Sequence, residues 1–197
     1  MVGFVVLEGI DGCGKSSVAR SAAERFGKRA ALTREPTDSW IGKAVRKGDK
    51  KEVSPYTDAL LFMADRAQHT LEIADMLKKG KLVVCDRYYH STIAYQTASL
   101  RRLGLGDNFD WLLDANTRIS IRPDITFIIE VDPEISLDRI RNRSELSRFE
   151  KLDFLKEVQR NYRRLAKTDD AIIRVDGDKT LEEVTEEVIG TIKERRL

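Results

Sequence analysis

The stretch Gly9-Ile10-Asp11-Gly12-Cys13-Gly14-Lys15-Ser16 decides the fold, because it matches the pattern G-x-x-x-x-G-K-S at every fixed position. It follows a short apolar run, Val2 to Leu7, and precedes a helix-forming segment, Ser16 to Phe26. A buried strand would bring the chain to a tight turn whose glycines let backbone N–H groups converge on an anion. The next helix would point its positive end at the same anion. The pattern therefore predicts a phosphate-binding loop for a nucleoside triphosphate.

Two side chains of this loop have predicted roles in binding. Lys15 supplies a mobile ammonium group for the outer phosphates, and the hydroxyl of Ser16 is placed to bind Mg²⁺. A glycine-rich turn that matches the pattern by chance is the alternative. The strand before the loop and the helix after it argue against that alternative.

Short apolar runs recur along the chain between segments of helical pattern, which indicates βαβ units and a parallel sheet covered on both faces. Helix signals agree, since Ser54-Pro55 opens a long helix that Gly80 closes, and Thr180 with Glu183 forms a capping box. The predicted fold class is therefore α/β, a three-layer α/β/α arrangement with a five-stranded parallel sheet, in a single domain spanning 1–197. The runs are Val2–Leu7, Ala30–Thr33, Leu82–Cys85, Ile125–Val131 and Ala171–Val175.

Composition restricts the class of protein. The 197 residues carry a formal net charge of only +2, so no overall field indicates a nucleic acid or a membrane surface as partner. Cys13 and Cys85 make no disulfide framework and are expected to stay reduced. The sequence begins without the apolar stretch of a signal peptide, and no segment approaches the roughly 18 apolar residues of a membrane span. A cytoplasmic location is expected.

Polar residues directly after the predicted strands are candidates for the site, because ligands of such sheets bind outside the carboxyl ends of the strands. Asp86 ends the third run, where a carboxylate near Mg²⁺ is expected. Arg87 would face the same crevice as Lys15, with a planar fork that suits phosphate; a structural Asp-Arg salt bridge is the alternative. Arg34 follows the second run. It is interpreted either as an anion ligand or support for the acceptor pocket, or as a solvated arginine in a turn.

Phe62 and Arg66 stand four residues apart in the long predicted helix and therefore share a face. An aromatic ring and a guanidinium group are what a planar base needs, one to stack and one to hydrogen-bond. On spacing alone, core packing of Phe62 is an equally good interpretation. His69 and His90 lie beside no set of metal ligands and no catalytic triad, and His90 is interpreted as a capping or surface residue.

Four arginines, Arg139, Arg141, Arg143 and Arg148, lie within ten residues and repel one another unless anions join them. A basic run is usually a solvated face. In a chain that binds a nucleoside triphosphate, a mobile arginine-rich loop can instead neutralise charge on a phosphoryl group in transit and exclude water. We therefore expect a short mobile lid at about 139–150.

Together these motifs resemble the thymidylate kinase family, part of the nucleoside monophosphate kinase superfamily of P-loop proteins, from Phe4 to about Asp176. The resemblance implies the P-loop NTPase fold and transfer of the ATP γ-phosphoryl group to dTMP, giving dTDP and ADP for dTTP biosynthesis, with Mg²⁺. It also implies a homodimer. Besides the phosphate loop, its markers are Thr33-Arg34-Glu35-Pro36, Leu61-Phe62 with Asp65-Arg66, Asp86-Arg87-Tyr88 and Ser91 to Gln96.

The resemblance also implies roles for single residues. Phe62 would stack on thymine, Arg66 would bond its exocyclic carbonyl and Thr92 would lie at the base edge. Tyr95 would crowd the sugar C2′ position, and Asp11 would approach the 3′-hydroxyl. The implied substrate contacts are Asp11, Arg34, Phe62, Arg66, Arg87, Ser91, Thr92 and Tyr95.

The implied donor side and chemistry use the phosphate loop and the lid. The catalytic set would be Lys15, Arg87, Arg143 and Asp11, and Ser16 with Asp86 would bind the metal. The family's adenine contacts fall on the lid and on the turn Val175-Asp176-Gly177. The implied ATP contacts are Gly9, Ile10, Asp11, Gly12, Cys13, Gly14, Lys15, Ser16, Ser17, Arg139 and Arg141.

The family has two branches, in which the catalytic arginine comes from the phosphate loop or from the lid. Gly12 stands in the loop here, so the chain resembles the lid-arginine branch, with Arg143 as the transition-state contact. A deoxynucleoside kinase that acts on an uncharged nucleoside is the nearest alternative, and a nucleotide-binding regulator without transfer is another. Nucleic-acid binding through the basic lid has poor support at a net charge of +2.

Overall fold

The central element of the fold is a sheet of five parallel strands in the order β2-β3-β1-β4-β5, which confirms the predicted sheet. The fold comes from a computed structural model, which describes residues 2–49, 51, 53–140 and 151–197. Every strand lies within one residue of an apolar run that predicted it. The strands are β1 (Gly3–Glu8), β2 (Ala30–Arg34), β3 (Leu82–Asp86), β4 (Ile125–Glu130) and β5 (Ile172–Asp176).

Two helices, α3 and α8, begin where capping chemistry predicts. The Ser54 side chain accepts a hydrogen bond from Tyr56 N, with Pro55 in the first turn, and Thr180 and Glu183 form a capping box. Two helices, α2 and α5, have no predicted counterpart. The helices are α1 (Lys15–Phe26), α2 (Trp40–Asp49), α3 (Pro55–Lys78), α4 (Tyr89–Arg102), α5 (Phe109–Arg118), α6 (Pro133–Ile140), α7 (Leu152–Leu165) and α8 (Leu181–Glu194).

The core lies between the sheet and two groups of helices. Strand β1 is buried along its whole length, as a strand covered on both faces must be. Helix α1 packs against α8, while α4 packs against α3, α5 and α7. These two groups agree with the predicted three-layer arrangement. In the part of the chain that the structure describes, no helix is both long and apolar enough to cross a membrane.

This topology fixes where a site can form. Strands β1 and β3 are neighbours and parallel, with Leu7 paired to Asp86. Their carboxyl ends therefore place the phosphate loop beside the turn that contains Arg87. Strand β2 pairs with β3 so that Arg34 lies level with Asp86. Residues far apart in the sequence thus meet at one edge of the sheet.

Candidate active site

The phosphate loop connects β1 to α1, and its backbone needs glycine. Gly9, Gly12 and Gly14 all have positive φ angles, of 140°, 84° and 93°. A Cβ atom on Gly9 would lie 2.6 Å from the carbonyl oxygen of Ile129, and one on Gly12 would overlap the carbonyl oxygen of Ser136. Neither position can accept a side chain without a backbone shift.

Three cations line the cavity above this loop. The cavity has a volume of about 170 Å³, and its walls include Lys15, Arg87 and Arg139. Lys15 Nζ donates to Ile10 O at 3.2 Å and lies 3.6 Å from a carboxylate oxygen of Asp11. The structure therefore brings Lys15 and Arg87 into one crevice, as the sequence predicts.

Asp11 contacts two of these cations, Lys15 and Arg87. Arg87 donates to one oxygen of its carboxylate, and the Tyr95 hydroxyl donates to the other at 3.0 Å. Burial raises the pKa of Asp11, but the charges of Arg87 and Lys15 outweigh it and hold that pKa well below its ordinary value. Burial likewise raises the pKa of the Tyr95 hydroxyl well above its ordinary value. Asp11 is therefore an anion and Tyr95 a neutral donor at physiological pH.

Glu8 organises the turn that follows β3, and sequence reasoning assigned it no role. This wholly buried carboxylate accepts hydrogen bonds from Tyr88 N at 2.8 Å, Ser91 N at 3.1 Å and Ser91 Oγ at 2.5 Å. The Tyr162 hydroxyl also donates to it at 2.9 Å. Ser91 Oγ in turn accepts from Arg87 at 2.8 Å. Glu8 therefore orients Arg87 through Ser91. The only sequence signal for this role was an acidic residue at the end of an apolar run.

Ser16 and Asp86 line a second cavity, of about 590 Å³, on the β2 side of the loop. Asp86 Oδ1 is buried and has no hydrogen-bond partner among the described residues. Arg34 also lines this cavity but pairs with Asp38 at 3.1 Å, and its side chain is 63% exposed. Arg34 is not among the residues that line the cavity of Lys15 and Arg87.

Arg66 lies buried in α3, with a side chain that is 1% exposed. It donates to Glu35 Oε2 at 2.5 Å, to Thr92 Oγ1 at 3.0 Å and to Asn116 Oδ1 at 2.5 Å. Phe62, one helical turn earlier in α3, is half-buried. The structure therefore brings Arg66 and Thr92 together and leaves part of the Phe62 ring accessible.

Both histidines are buried, and His90 differs from its interpretation in the sequence. His90 is 1% exposed and lies in the first turn of α4, so its interpretation as a capping or surface residue was wrong. His69 is also buried, and it contacts Glu35 and Thr33. These partners come from β2 and the loop after it, and spacing along α3 could not reveal them.

Of the four arginines predicted to form the lid, Arg139 is among the residues that the structure describes. Arg139, in the last turn of α6, lines the phosphate-loop cavity. Its NH1 donates a hydrogen bond to Gly177 O at 3.5 Å. Gly177 belongs to the turn after β5 that the family resemblance assigns to adenine. Arg141, Arg143 and Arg148, with most of the predicted lid at 139–150, lie outside the described residues.

Comparisons with known proteins agree on one family. The family model described as thymidylate kinase matches residues 7–188. A probable thymidylate kinase of Archaeoglobus fulgidus is 39% identical over 194 residues, covering 96% of this chain and 94% of that protein. One of Methanocaldococcus jannaschii is 42% identical over 192 residues, covering 96% and 95%. The solved thymidylate kinase of Candida albicans superposes with a TM-score of 0.83 at 27% identity, covering 99% of this chain and 93% of that one.

Proposed function

The chain belongs to the thymidylate kinase family, and we propose that its phosphate-loop cleft transfers the γ-phosphoryl group of ATP to dTMP, giving dTDP and ADP. The observation behind this proposal is the cavity above the phosphate loop, which is lined by Lys15, Arg87 and Arg139. Phosphoryl transfer needs aligned reactants and a concentration of positive charge rather than a covalent nucleophile. A site with three cations and an ordered glycine loop supplies both.

On the acceptor side, we propose that Arg87 binds the phosphate of dTMP. Its guanidinium lies 5.3 Å from the centre of the Tyr95 ring, which supports the fork from one face. Asp11 would accept a hydrogen bond from the 3′-hydroxyl, because its depressed pKa keeps it ionised. Lys15 would hold the donor, so that an acceptor phosphate oxygen can attack the γ-phosphorus in line.

On the base side, we propose that Phe62 stacks on thymine and Arg66 donates to its exocyclic carbonyl. The half-buried Phe62 ring and the buried guanidinium of Arg66 lie on the same helix. The donor base would lie near the end of β5, where Val175 and Asp176 line a cavity of about 580 Å³.

Ser16 and Asp86 fit a magnesium ion, and we propose that they hold it. Mg²⁺ prefers oxygen ligands and is usually bound through one or two carboxylates together with substrate phosphates. Asp86, whose buried Oδ1 has no hydrogen-bond partner among the described residues, lines the same cavity as Ser16. The metal would neutralise charge on the transferred group.

We also propose a cytoplasmic location. Cys13 and Cys85 are both free and buried, which supports a reducing compartment.

A panel of acceptors tests the proposed reaction. Purified protein is incubated with ATP, Mg²⁺ and one acceptor at a time, namely dTMP, dUMP, dCMP, dGMP or thymidine, and nucleotide products are separated by chromatography. We expect dTMP to give dTDP and thymidine to give no dTMP, because Arg87 binds a phosphate. Turnover of thymidine in place of dTMP would instead identify a deoxynucleoside kinase. ATP binding without any transfer would identify a regulator.

We also propose that the chain forms a homodimer through one face of α3. Leu60 and Leu71 are 57% and 63% exposed, and they lie three helical turns apart on one face, because eleven residues make almost exactly whole turns. Ala64 and Ala67 lie exposed between them. Trp40, at the start of the neighbouring α2, is exposed as well. An exposed apolar stripe such as this one on α3 is typical of a protein interface.

Glutamate at Leu60 and Leu71 together is expected to separate the subunits, because paired carboxylates cannot be buried without partners. Light scattering after size exclusion should give twice the 22.5 kDa chain mass for the unmodified protein and the single mass for this variant. Leu103→Glu, at an exposed leucine outside α3, is the matched control and should remain dimeric. An unmodified protein of 22.5 kDa in solution would contradict the dimer.

A further inference from the structure

We propose that Glu35 and His69 are positioning residues that fix the guanidinium of Arg66, so that it accepts a base carbonyl and rejects a base amino group. The inference rests on the proposed function, in which Arg66 contacts the base. It assigns the choice among pyrimidine monophosphates to two side chains that need not touch the nucleotide.

The observation behind this proposal is a continuous buried chain of hydrogen bonds. Glu35 Oε2 lies 2.5 Å from Arg66 NH2, and Glu35 Oε1 lies 3.0 Å from His69 Nδ1. On its other side, His69 Nε2 lies 2.7 Å from Thr33 Oγ1. The side chains of Arg66, Glu35 and His69 are 1%, 2% and 0% exposed. The end of β2, the loop after it and α3 are thereby joined at one point.

Both ring nitrogens of His69 have a hydrogen-bond partner. A carboxylate only accepts hydrogen bonds, so His69 Nδ1 donates to Glu35. The Thr33 hydroxyl can donate or accept and therefore satisfies Nε2 on the other side of the ring. Both oxygens of Glu35 are occupied, one by the ring and one by the guanidinium. The carboxylate cannot rotate without breaking one of these bonds.

Arg66 is therefore held in one plane and keeps donors for a ligand. A guanidinium has five N–H groups, and the bonds to Glu35, Thr92 and Asn116 use three of them. Arg66 Nε is buried and has no hydrogen-bond partner among the described residues. A carbonyl oxygen such as O4 of thymine can accept from the remaining donors. Cytosine has an amino group at that position, and this N–H donor would face the N–H donors of Arg66 without an acceptor between them. A site built to hydrogen-bond one group strongly rejects an analogue that leaves its buried polar groups unpaired.

The loop that carries Glu35 is also anchored without it. Asp65, next to Arg66 on α3, accepts from Thr37 N at 2.7 Å, from Thr37 Oγ1 at 2.6 Å and from Ser39 Oγ at 3.1 Å. The loop can therefore keep its place when the charge of Glu35 is removed. That makes the orientation of Arg66 separable from the integrity of the loop.

The experiment measures the dissociation constants of dTMP, dCMP and ATP by calorimetry for Glu35→Gln, His69→Asn and the unmodified protein. Because a hydrogen bond to a charged group contributes strongly, we expect Glu35→Gln to weaken dTMP binding by about 10-fold or more. Binding of dCMP and ATP should change by less than about 2-fold, so that the preference for dTMP falls. His69→Asn, which keeps a donor near the position of Nδ1, should lower the preference less. Asp75→Asn, in an exposed ion pair on the same helix, is the matched control and should leave the preference unchanged.

An unchanged ratio of dTMP to dCMP affinity in Glu35→Gln, with a lowered melting temperature, would overturn the proposal, because Glu35 would then be only structural. If Glu35→Gln does not fold, the ratio of dTMP to dCMP affinity in His69→Asn tests the proposal instead. A lowered ratio supports it, and an unchanged ratio overturns it. Failure of the proposed function gives a different pattern, since the unmodified protein would then bind dTMP without forming dTDP. In that case a ratio that falls in Glu35→Gln still supports the positioning role.

Discussion

Alanine at Arg143 is expected to lower kcat by about 10³-fold or more, the effect of removing an arginine that stabilises a transferring phosphoryl group. The phosphate loop cannot supply that arginine, because a Cβ atom on Gly12 would overlap the carbonyl oxygen of Ser136. We assign Lys15 and Arg87 to binding of the donor and acceptor phosphates. We therefore expect the transition-state contact to come from the arginine-rich segment after α6.

The measurement is single-turnover formation of dTDP by rapid quench, with ATP affinity determined separately by calorimetry. ATP affinity should change by less than about 10-fold, because the contact forms mainly in the transition state. Arg141→Ala and Arg148→Ala are matched controls from the same segment and should lose less activity. An unchanged kcat in Arg143→Ala would contradict the assignment.

Methionine at Arg87 is expected to lower kcat/KM for dTMP by about 10²–10³-fold, because a preorganised donor in a dry site stabilises charge strongly. The structure fixes this side chain from several directions. It donates to Asp11 and to Ser91 Oγ, and it lies over the Tyr95 ring. Arg87→Lys should recover only part of the loss, since lysine keeps the charge but lacks the planar fork.

Steady-state kinetics with varied dTMP checks this prediction, and the KM for ATP should change far less than that for dTMP. Arg118→Met, at an exposed arginine paired with Asp114, is the control.

Arg87→Met should also change the pH profile of activity. Without Arg87, burial at Asp11 is opposed by one cation fewer, so the pKa of Asp11 rises. As the pH is lowered, the variant should therefore lose its residual activity at a higher pH than the unmodified protein does. Equal kcat/KM for Arg87→Met and the unmodified protein would refute a role in acceptor binding.

The sheet could be predicted from the sequence because its strands are short apolar runs bounded by turn residues. Val2–Leu7 predicted β1 with a shift of one residue, and Ala30–Thr33 predicted β2 with one residue added at its end. Local chemistry also predicted the starts of α3 and α8, since a cap depends on residues only a few positions apart. Helix α2 was missed because it contains Gly42 and Gly48, and glycine weakens a helical signal.

The side chains that position the site could not be predicted in the same way. Glu8 contacts Tyr162, which is 154 positions further along the chain, and Glu35 contacts Arg66 across 31 positions. Such contacts arise when separate elements pack together, so no local pattern reports them. A buried acid at the end of a strand is the only sequence signal that Glu8 offered.

The internal pairing of Arg87 with Asp11 has a consequence for discrimination in a crowded cell. At Arg87, a free phosphate or sulfate ion must compete with the carboxylate of Asp11, which already balances the charge of the guanidinium. A nucleotide brings a ring and a sugar that interact elsewhere in the cleft and can compensate for disturbing that balance. We therefore expect Arg87 to bind a free phosphate or sulfate ion less tightly than the phosphate of a nucleotide.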